Sequence, residues 1–256
     1  AGDNVTDDRI AKLRIDYQEV AADLVVERYL DPVRTWCRTH RMLSGGHFNG
    51  EDEPERASEM GYGSLLRSLR TLDVPGVDTI WRQVFPGADV KPFPRYAASA
   101  AHQNGGRFAL SESFGIYGDS LSPVEMKAVI DSQLVRGINT FVFGYCPQST
   151  AKHWMLLFEP HFGPASPTWD AFPHLVRYVE NACAWLSKGR PGARIAVLYD
   201  QRGFWAGGRD RVETARAHYA TAKALDGMNC DYDFVDDAAI AAATVTEGGV
   251  LRVGAM

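Results

Sequence analysis

Arg107-Phe108-Ala109-Leu110-Ser111-Glu112, continuing into Ser113-Phe114-Gly115, is the stretch on which the fold turns. A short apolar run that ends in polar residues before a glycine-containing turn reads as a β-strand. Ser122-Pro123-Val124-Glu125 then opens a helix, with a capping serine, a first-position proline and an acid at the third position. That helix carries Met126, Val129, Ile130, Gln133 and Leu134 and stops at Gly137. Asn139-Thr140-Phe141-Val142-Phe143-Gly144-Tyr145 follows as another strand. Strand, crossover helix and strand in this order imply parallel pairing. Upstream, residues 42–47 and 77–83 read as two further strands, and residues 96–103 as a short, alanine-rich helix. The strands are apolar for most of their length, as parallel strands buried on both faces are. A doubly wound sheet and a (β/α)₈ barrel both fit, and in either the chemistry gathers at the carboxyl ends of the strands. His47, Gln83, Glu112 and Tyr145 fall there.

The N-terminal helix is marked by Ile10, Leu13, Tyr17, Val20, Leu24 and Val25 at three- and four-residue spacing, with Asp7 and Asp8 at its start, where acids suit the helix dipole. Pro32 is expected to break or kink it. A later helix spans residues 172–188, and Lys188-Gly189-Arg190-Pro191-Gly192 reads as a linker. Behind the linker come a buried strand at residues 195–199, a helix at 210–225, a strand at 231–235 and a hairpin turning at Gly248-Gly249. The expected domains are therefore residues 1–189 and 190–256, the second only the beginning of an α/β unit.

The 256 residues carry 45% hydrophobic and 23% charged side chains and a net charge of -5, which disfavours nucleic acid as a partner. No apolar run is long enough to span a membrane. Ala1-Gly2-Asp3-Asn4 shows no signal pattern, so the compartment is not fixed, with a secreted or periplasmic setting preferred to the cytoplasm. Cys37, Cys146, Cys183 and Cys230 form no C-x-x-C pair and read as reduced thiols.

Glu112 is the sharpest candidate for chemistry. Glycoside hydrolysis needs two carboxylates flanking one bond, and a strand end holds a carboxylate rigidly. The plain alternative is a solvated or ion-paired glutamate at a loop start. Residues 48–55 form an acidic loop containing Asn49, Glu51, Asp52 and Glu53, which is either a solvated face or a source of hydroxyl acceptors. His47 before it can bind a sugar hydroxyl, orient a carboxylate or be a structurally satisfied histidine. Phe48, Trp81, Phe85, Phe114, Tyr117, Tyr145, Trp154 and Trp169 crowd the same loops; sugar rings pack on such side chains, as do ordinary cores. His102, His153 and His161 lack metal-ligand spacing. Ser111 and Ser113 are not set in the G-x-S-x-G elbow of serine hydrolases.

Ala98-Ser99-Ala100-Ala101-His102-Gln103-Asn104-Gly105, then Ser111-Glu112-Ser113-Phe114-Gly115, then Leu134-Val135-Arg136-Gly137-Ile138-Asn139-Thr140-Phe141-Val142-Phe143 together resemble the α-L-rhamnosidase-like group of large bacterial glycoside hydrolases. The resemblance covers most of residues 6–190. Trp185-Leu186-Ser187-Lys188-Gly189 with residues 195–199 also resembles the passage, in that group, from a barrel into a flavodoxin-like domain similar to glutamine amidotransferases. It implies an α/β fold made of the C-terminal half of a (β/α)₈ (TIM) barrel, strands five to eight, followed by the start of that second unit. Glu112 would end strand seven as one of two catalytic carboxylates. The other would lie on a half barrel outside this sequence, so the remainder of the parent polypeptide is an expected partner, and open edges and uncovered apolar surface are expected too. The group often has histidine where this chain has Gly144-Tyr145, which leaves the sugar open. The candidate substrate-binding residues are His47, Asn49, Glu51, Trp81, Gln83, His102 and Tyr145, with a carbohydrate as substrate. No cofactor is called for, calcium being the one metal the resemblance leaves open. A non-catalytic carbohydrate-binding or scaffold module is the rival. An amidotransferase is not, because no cysteine sits at a strand-to-helix elbow after Ile195.

Overall fold

The computed structural model describes residues 7–89, 91–147 and 159–256. His153 and Trp154 lie outside them. The chain folds as an α/β protein around a four-stranded parallel sheet in the order β1 (Gly45–Gly46), β2 (Val74–Thr79), β3 (Leu110–Ser113) and β4 (Thr140–Phe143). β2 and β3 align Asp78 with Glu112, and β3 and β4 align Glu112 with Val142. The strand expected at residues 42–47 shrinks to Gly45 and Gly46. Ahead of them Ser44 is held by the Asp73 carboxylate, which accepts from its N–H at 3.0 Å and from its hydroxyl at 3.1 Å. The strand expected at 77–83 lies earlier, because Trp81 and Arg82 take left-handed backbone angles, φ 56° and 57°, which end extended structure.

Side chains alternate across the sheet. Val77, Thr79, Ser111 and Ser113 are buried on one face. There Ser111 Oγ donates to Thr79 Oγ1 at 3.1 Å, Thr79 Oγ1 donates to Gln133 Oε1 at 3.1 Å, and Gln133 Nε2 donates to Ser113 Oγ at 3.2 Å. Gln133 belongs to α6 (Pro123–Leu134), so this network ties the crossover helix to both central strands. Asp78, Glu112 and Val142 occupy the other face, where Val142 is 49% exposed. That face is not covered as the apolar character of the strands led us to expect.

The helices start where the sequence places their caps. Ser122 accepts from the Glu125 N–H while the Glu125 carboxylate accepts from the Ser122 N–H, a complete capping box. Gly137, φ 92°, ends the passage to β4, and a Cβ there would lie 2.6 Å from that of Ala98 on α5 (Pro94–Gln103). Pro32 does not break the N-terminal helix. α1 (Asp8–Val25) runs through a π-helical turn, Val26–Leu30, into α2 (Asp31–Thr39). The Asp31 N–H reaches back to Val26 O, and this wider turn accommodates a ring that an α-helical interior would not.

α1 is amphipathic in an unusual sense. Two of its acids, Glu19 and Asp23, pair with Arg67 of α4 (Leu65–Thr71) at 2.6 and 2.5 Å. Its apolar stripe, Ile10, Leu13, Tyr17, Val20 and Leu24, is exposed.

Behind the sheet, β5 (Ile195–Leu198) and β6 (Tyr232–Val235) pair in parallel across α8 (Gln201–Ala206) and α9 (Gly208–Gly227), and β7 (Thr244–Val245) with β8 (Leu251–Arg252) forms the terminal hairpin. One apolar cluster joins Leu66, Leu69, Phe93 and Tyr96 to Tyr199, Phe204, Tyr232 and Phe234. The backbone of β6 is met by α5 side chains: Phe234 N–H donates to Ser99 Oγ at 2.9 Å, and Gln103 Nε2 donates to Phe234 O at 2.9 Å. The core is thus continuous across the expected linker. Among the described residues no helix is long and apolar enough to cross a membrane.

Candidate active site

The carboxyl ends of β1 to β4 bring three of the expected residues together. Glu112, on β3, is gripped from both sides. His47, just past β1, places Nε2 3.0 Å from Glu112 Oε2, and Tyr145, just past β4, donates its hydroxyl to Glu112 Oε1 at 2.8 Å. Two hydrogen bonds from different strand ends fix both oxygens and hence the plane of the carboxylate. His47 Nε2 is thus engaged with a carboxylate.

The acidic loop does not form a solvated face. Glu51 is 2% exposed, and Asp52 is buried against Lys91 at 2.7 Å. Glu51 Oε1 accepts from the Phe48 N–H at 2.6 Å and lies 3.8 Å from His47 Nδ1. A group so enclosed has no surface to offer a sugar, so its expected substrate contact is replaced by one to the His47 loop. Burial pushes its carboxyl up to about 8, against the opposing pull of its hydrogen bonds and of His47. His47 itself is lifted above its ordinary value: burial disfavours the imidazolium, but the Glu112 hydrogen bond, the Phe48 carbonyl and the charges of Glu51 and Asp78 outweigh it.

Asp78 is the residue sequence reasoning missed. It stands beside Glu112 in the β2–β3 register, and donor atoms of His47, Asp78 and Glu112 all lie within 4.8 Å of one another. Its Oδ1 is buried and has no hydrogen-bond partner among the described residues. Burial pushes its carboxyl up to about 6, with Glu112 adding to the rise and His47 opposing it. The signal was present in the sequence: an acid inside an apolar strand, one alternation step from the strand's end.

The other candidates are placed differently. Trp81 is 64% exposed in the turn after β2, and Tyr145 is 36% exposed, so both offer ring surface on the side of the strand ends. Gln83 uses its Oε1 to accept from the Ile80 N–H at 3.0 Å, which closes that turn. Asn49 is exposed, and its carbonyl accepts from the Tyr62 hydroxyl at 2.8 Å. His102 does not join the cluster. Its Nδ1 lies 2.9 Å from Asp233 Oδ1 on β6, on the face of α5 that packs against the C-terminal strands. Phe114 and Tyr117 are core residues, 0% and 1% exposed.

Calcium takes six to eight oxygen ligands. Among the described residues this cluster offers two carboxylates and an imidazole nitrogen already engaged with Glu112, fewer oxygens than calcium takes.

A family model described as alpha-L-rhamnosidase, Glyco_hydro_106, matches residues 4–255. Among solved structures, a rhamnosidase from Novosphingobium sp. PP1Y is similar with a TM-score of 0.63 at 16% identity, over 92% of this chain. The chain spans 22% of the length of that protein, and at this identity the likeness is one of fold. No curated protein sequence matches. With nearly its whole length matched by that family model, and with an α/β fold shared with a rhamnosidase, the chain belongs to the alpha-L-rhamnosidase family of glycoside hydrolases.

Proposed function

We propose that this chain carries one half of a glycosidase active site, in which Glu112 is one of the two carboxylates that cleave an O-glycosidic bond, and that the glycon is rhamnose or a close relative. The supporting observation is the double grip on Glu112 by His47 and Tyr145 from neighbouring strand ends. On this reading the four parallel strands are strands five to eight of a (β/α)₈ barrel, and residues 190–256 begin a flavodoxin-like unit. Glu112 Oε1 is used as an acceptor by the Tyr145 hydroxyl. On this reading Glu112 is the base that takes a proton from water or the nucleophile that attacks carbon, and the partner carboxylate protonates the leaving oxygen. Asp78 is not that acid either. Its oxygens approach within 4.8 Å of those of Glu112, on the same side of any bound sugar, where a retaining pair needs about 5–5.5 Å across the bond and an inverting pair about 6.5–9.5 Å. The acid is supplied by the remainder of the parent polypeptide, and the family resemblance favours inversion.

The test is hydrolysis of an aryl α-L-rhamnoside by the full-length protein and its Glu112→Gln variant. Loss of a catalytic base typically costs about 10²–10⁴-fold. A variant that keeps more than about a tenth of the wild-type rate removes Glu112 from the mechanism. Sugar binding by both proteins without turnover by either favours the non-catalytic module.

A further inference from the structure

Glu51 is buried beside the site, and bond cleavage as proposed above gives it no part. Its side chain turns back into its own loop. Glu51 Oε1 accepts at 2.6 Å from the N–H of the peptide that joins His47 to Phe48. That peptide sets the direction in which the His47 side chain leaves the backbone. The next peptide carries the Phe48 carbonyl, whose oxygen lies 3.2 Å from His47 Nδ1. A carbonyl oxygen only accepts, so Nδ1 carries a proton and Nε2 is left to face Glu112 Oε2 at 3.0 Å. A hydrogen bond at that place needs one proton between Nε2 and Oε2, and a Glu112 that acts as base needs it on Nε2. Tyr62 and Lys91 tie the loop down further along, at Asn49 and Asp52. Glu51 holds the peptide nearest the imidazole, on the side of the ring away from Glu112, with Oε1 3.8 Å from Nδ1.

We infer that Glu51 is a positioning residue: through the His47–Phe48 peptide it fixes the imidazole that holds Glu112 in place. This rests on the glycosidase reading above and adds to it a residue that touches no substrate. Burial suits the task, because water does not compete for the Phe48 N–H. Supporting hydrogen bonds of this kind hold a reacting group within about 0.5 Å of its working position. A residue that acts in this way changes the rate of the chemical step and leaves the affinity for the sugar nearly alone.

The experiment measures kcat and KM of the full-length protein on p-nitrophenyl α-L-rhamnopyranoside for wild type, Glu51→Ala, Glu51→Gln, His47→Ala and the double variant Glu51→Ala/His47→Ala. Glu51→Ala is expected to lose roughly 10- to 100-fold in kcat with KM little changed, because a misplacement of about 1 Å at a reacting group costs up to about 10²-fold. Glu51→Gln keeps an acceptor for the Phe48 N–H and is expected to recover most of the rate. Because Glu51 acts through His47, adding Glu51→Ala to His47→Ala should cost no more than about a further twofold. Glu51→Leu fills the buried space without an acceptor and stands in, with the same expected loss, if the alanine variant fails to fold. Additive losses in the double variant, or a Glu51→Ala kcat within about threefold of wild type, overturn the positioning role and leave the glycosidase reading standing. Equal losses in Glu51→Gln and Glu51→Ala overturn it as well, since the acceptor is then not what matters. A Glu112→Gln variant as active as wild type, or a wild type without hydrolysis, overturns both.

Discussion

Replacing Glu51 by glutamine isolates the energetic cost of a buried acid beside the site. Glu51 is 2% exposed, and burial holds its carboxyl near 8, against an ordinary 4.5. Between these values the folded protein keeps a proton that the unfolded chain has released. The stability contributed by the neutral acid is therefore complete below about pH 4.5 and is lost as the pH rises through about 8. Each unit of separation is worth about 1.4 kcal/mol, so the full window amounts to on the order of 5 kcal/mol. Glutamine keeps the shape, still accepts from the Phe48 N–H, and does not titrate. His47, also raised, loses its stabilising contribution in the same direction with pH; the Glu51 charge is one cause of that rise, so His47 is raised less in the variant and adds to the difference between the two curves. Urea unfolding followed by tryptophan fluorescence from pH 5 to 9 measures the difference. The two proteins should agree within about 1 kcal/mol at pH 5, and the variant should be more stable by several kcal/mol at pH 8.5. Parallel stability curves across that range would refute the buried, neutral state of Glu51.

Tyr145→Phe removes one of the two grips on Glu112. A hydrogen bond to a charged acceptor contributes about 1.5–3 kcal/mol, so kcat should fall roughly 10- to 100-fold in steady-state assays with KM little changed. Gly137→Ala combines a left-handed backbone with a Cβ placed 2.6 Å from that of Ala98, and the displacement of α5 or β4 should cost about 2–4 kcal/mol in denaturant unfolding.

The parts of the fold that were legible share a cause: they are encoded by neighbouring residues. Ser122 to Glu125 specify their helix start by hydrogen bonds that close within four residues, and Gly137 specifies its end by a backbone angle. The misread parts depend on distant partners. Residues 42–47 look like a strand, but Asp73 claims Ser44 and only two glycines pair. The charge run at 51–53 looks like a solvent face, yet Phe48 N–H and Lys91 draw two of its acids inward. One boundary error had a direct effect on the site. With β2 taken to end at Gln83, that residue stood at the strand's tip; with the end at Thr79, Asp78 takes the place beside Glu112. His102 was suggested by a motif, and its contact with Asp233 depends on a strand 131 residues away.

The hydroxyl and amide network behind the sheet bears on how this site changes over evolutionary time. Ser111, Ser113, Thr79 and Gln133 hold β3 in alignment from the face opposite Asp78 and Glu112. A slip of one residue would drive the Glu112 carboxylate into that closed polar layer and leave its hydroxyls without partners. Alignment and the carboxylate pair are thus assigned to opposite faces of β2 and β3. Side chains on the open face can therefore be exchanged without loosening the strand pairing that aims them, whereas a change in the layer behind leaves buried hydroxyls or an amide without partners.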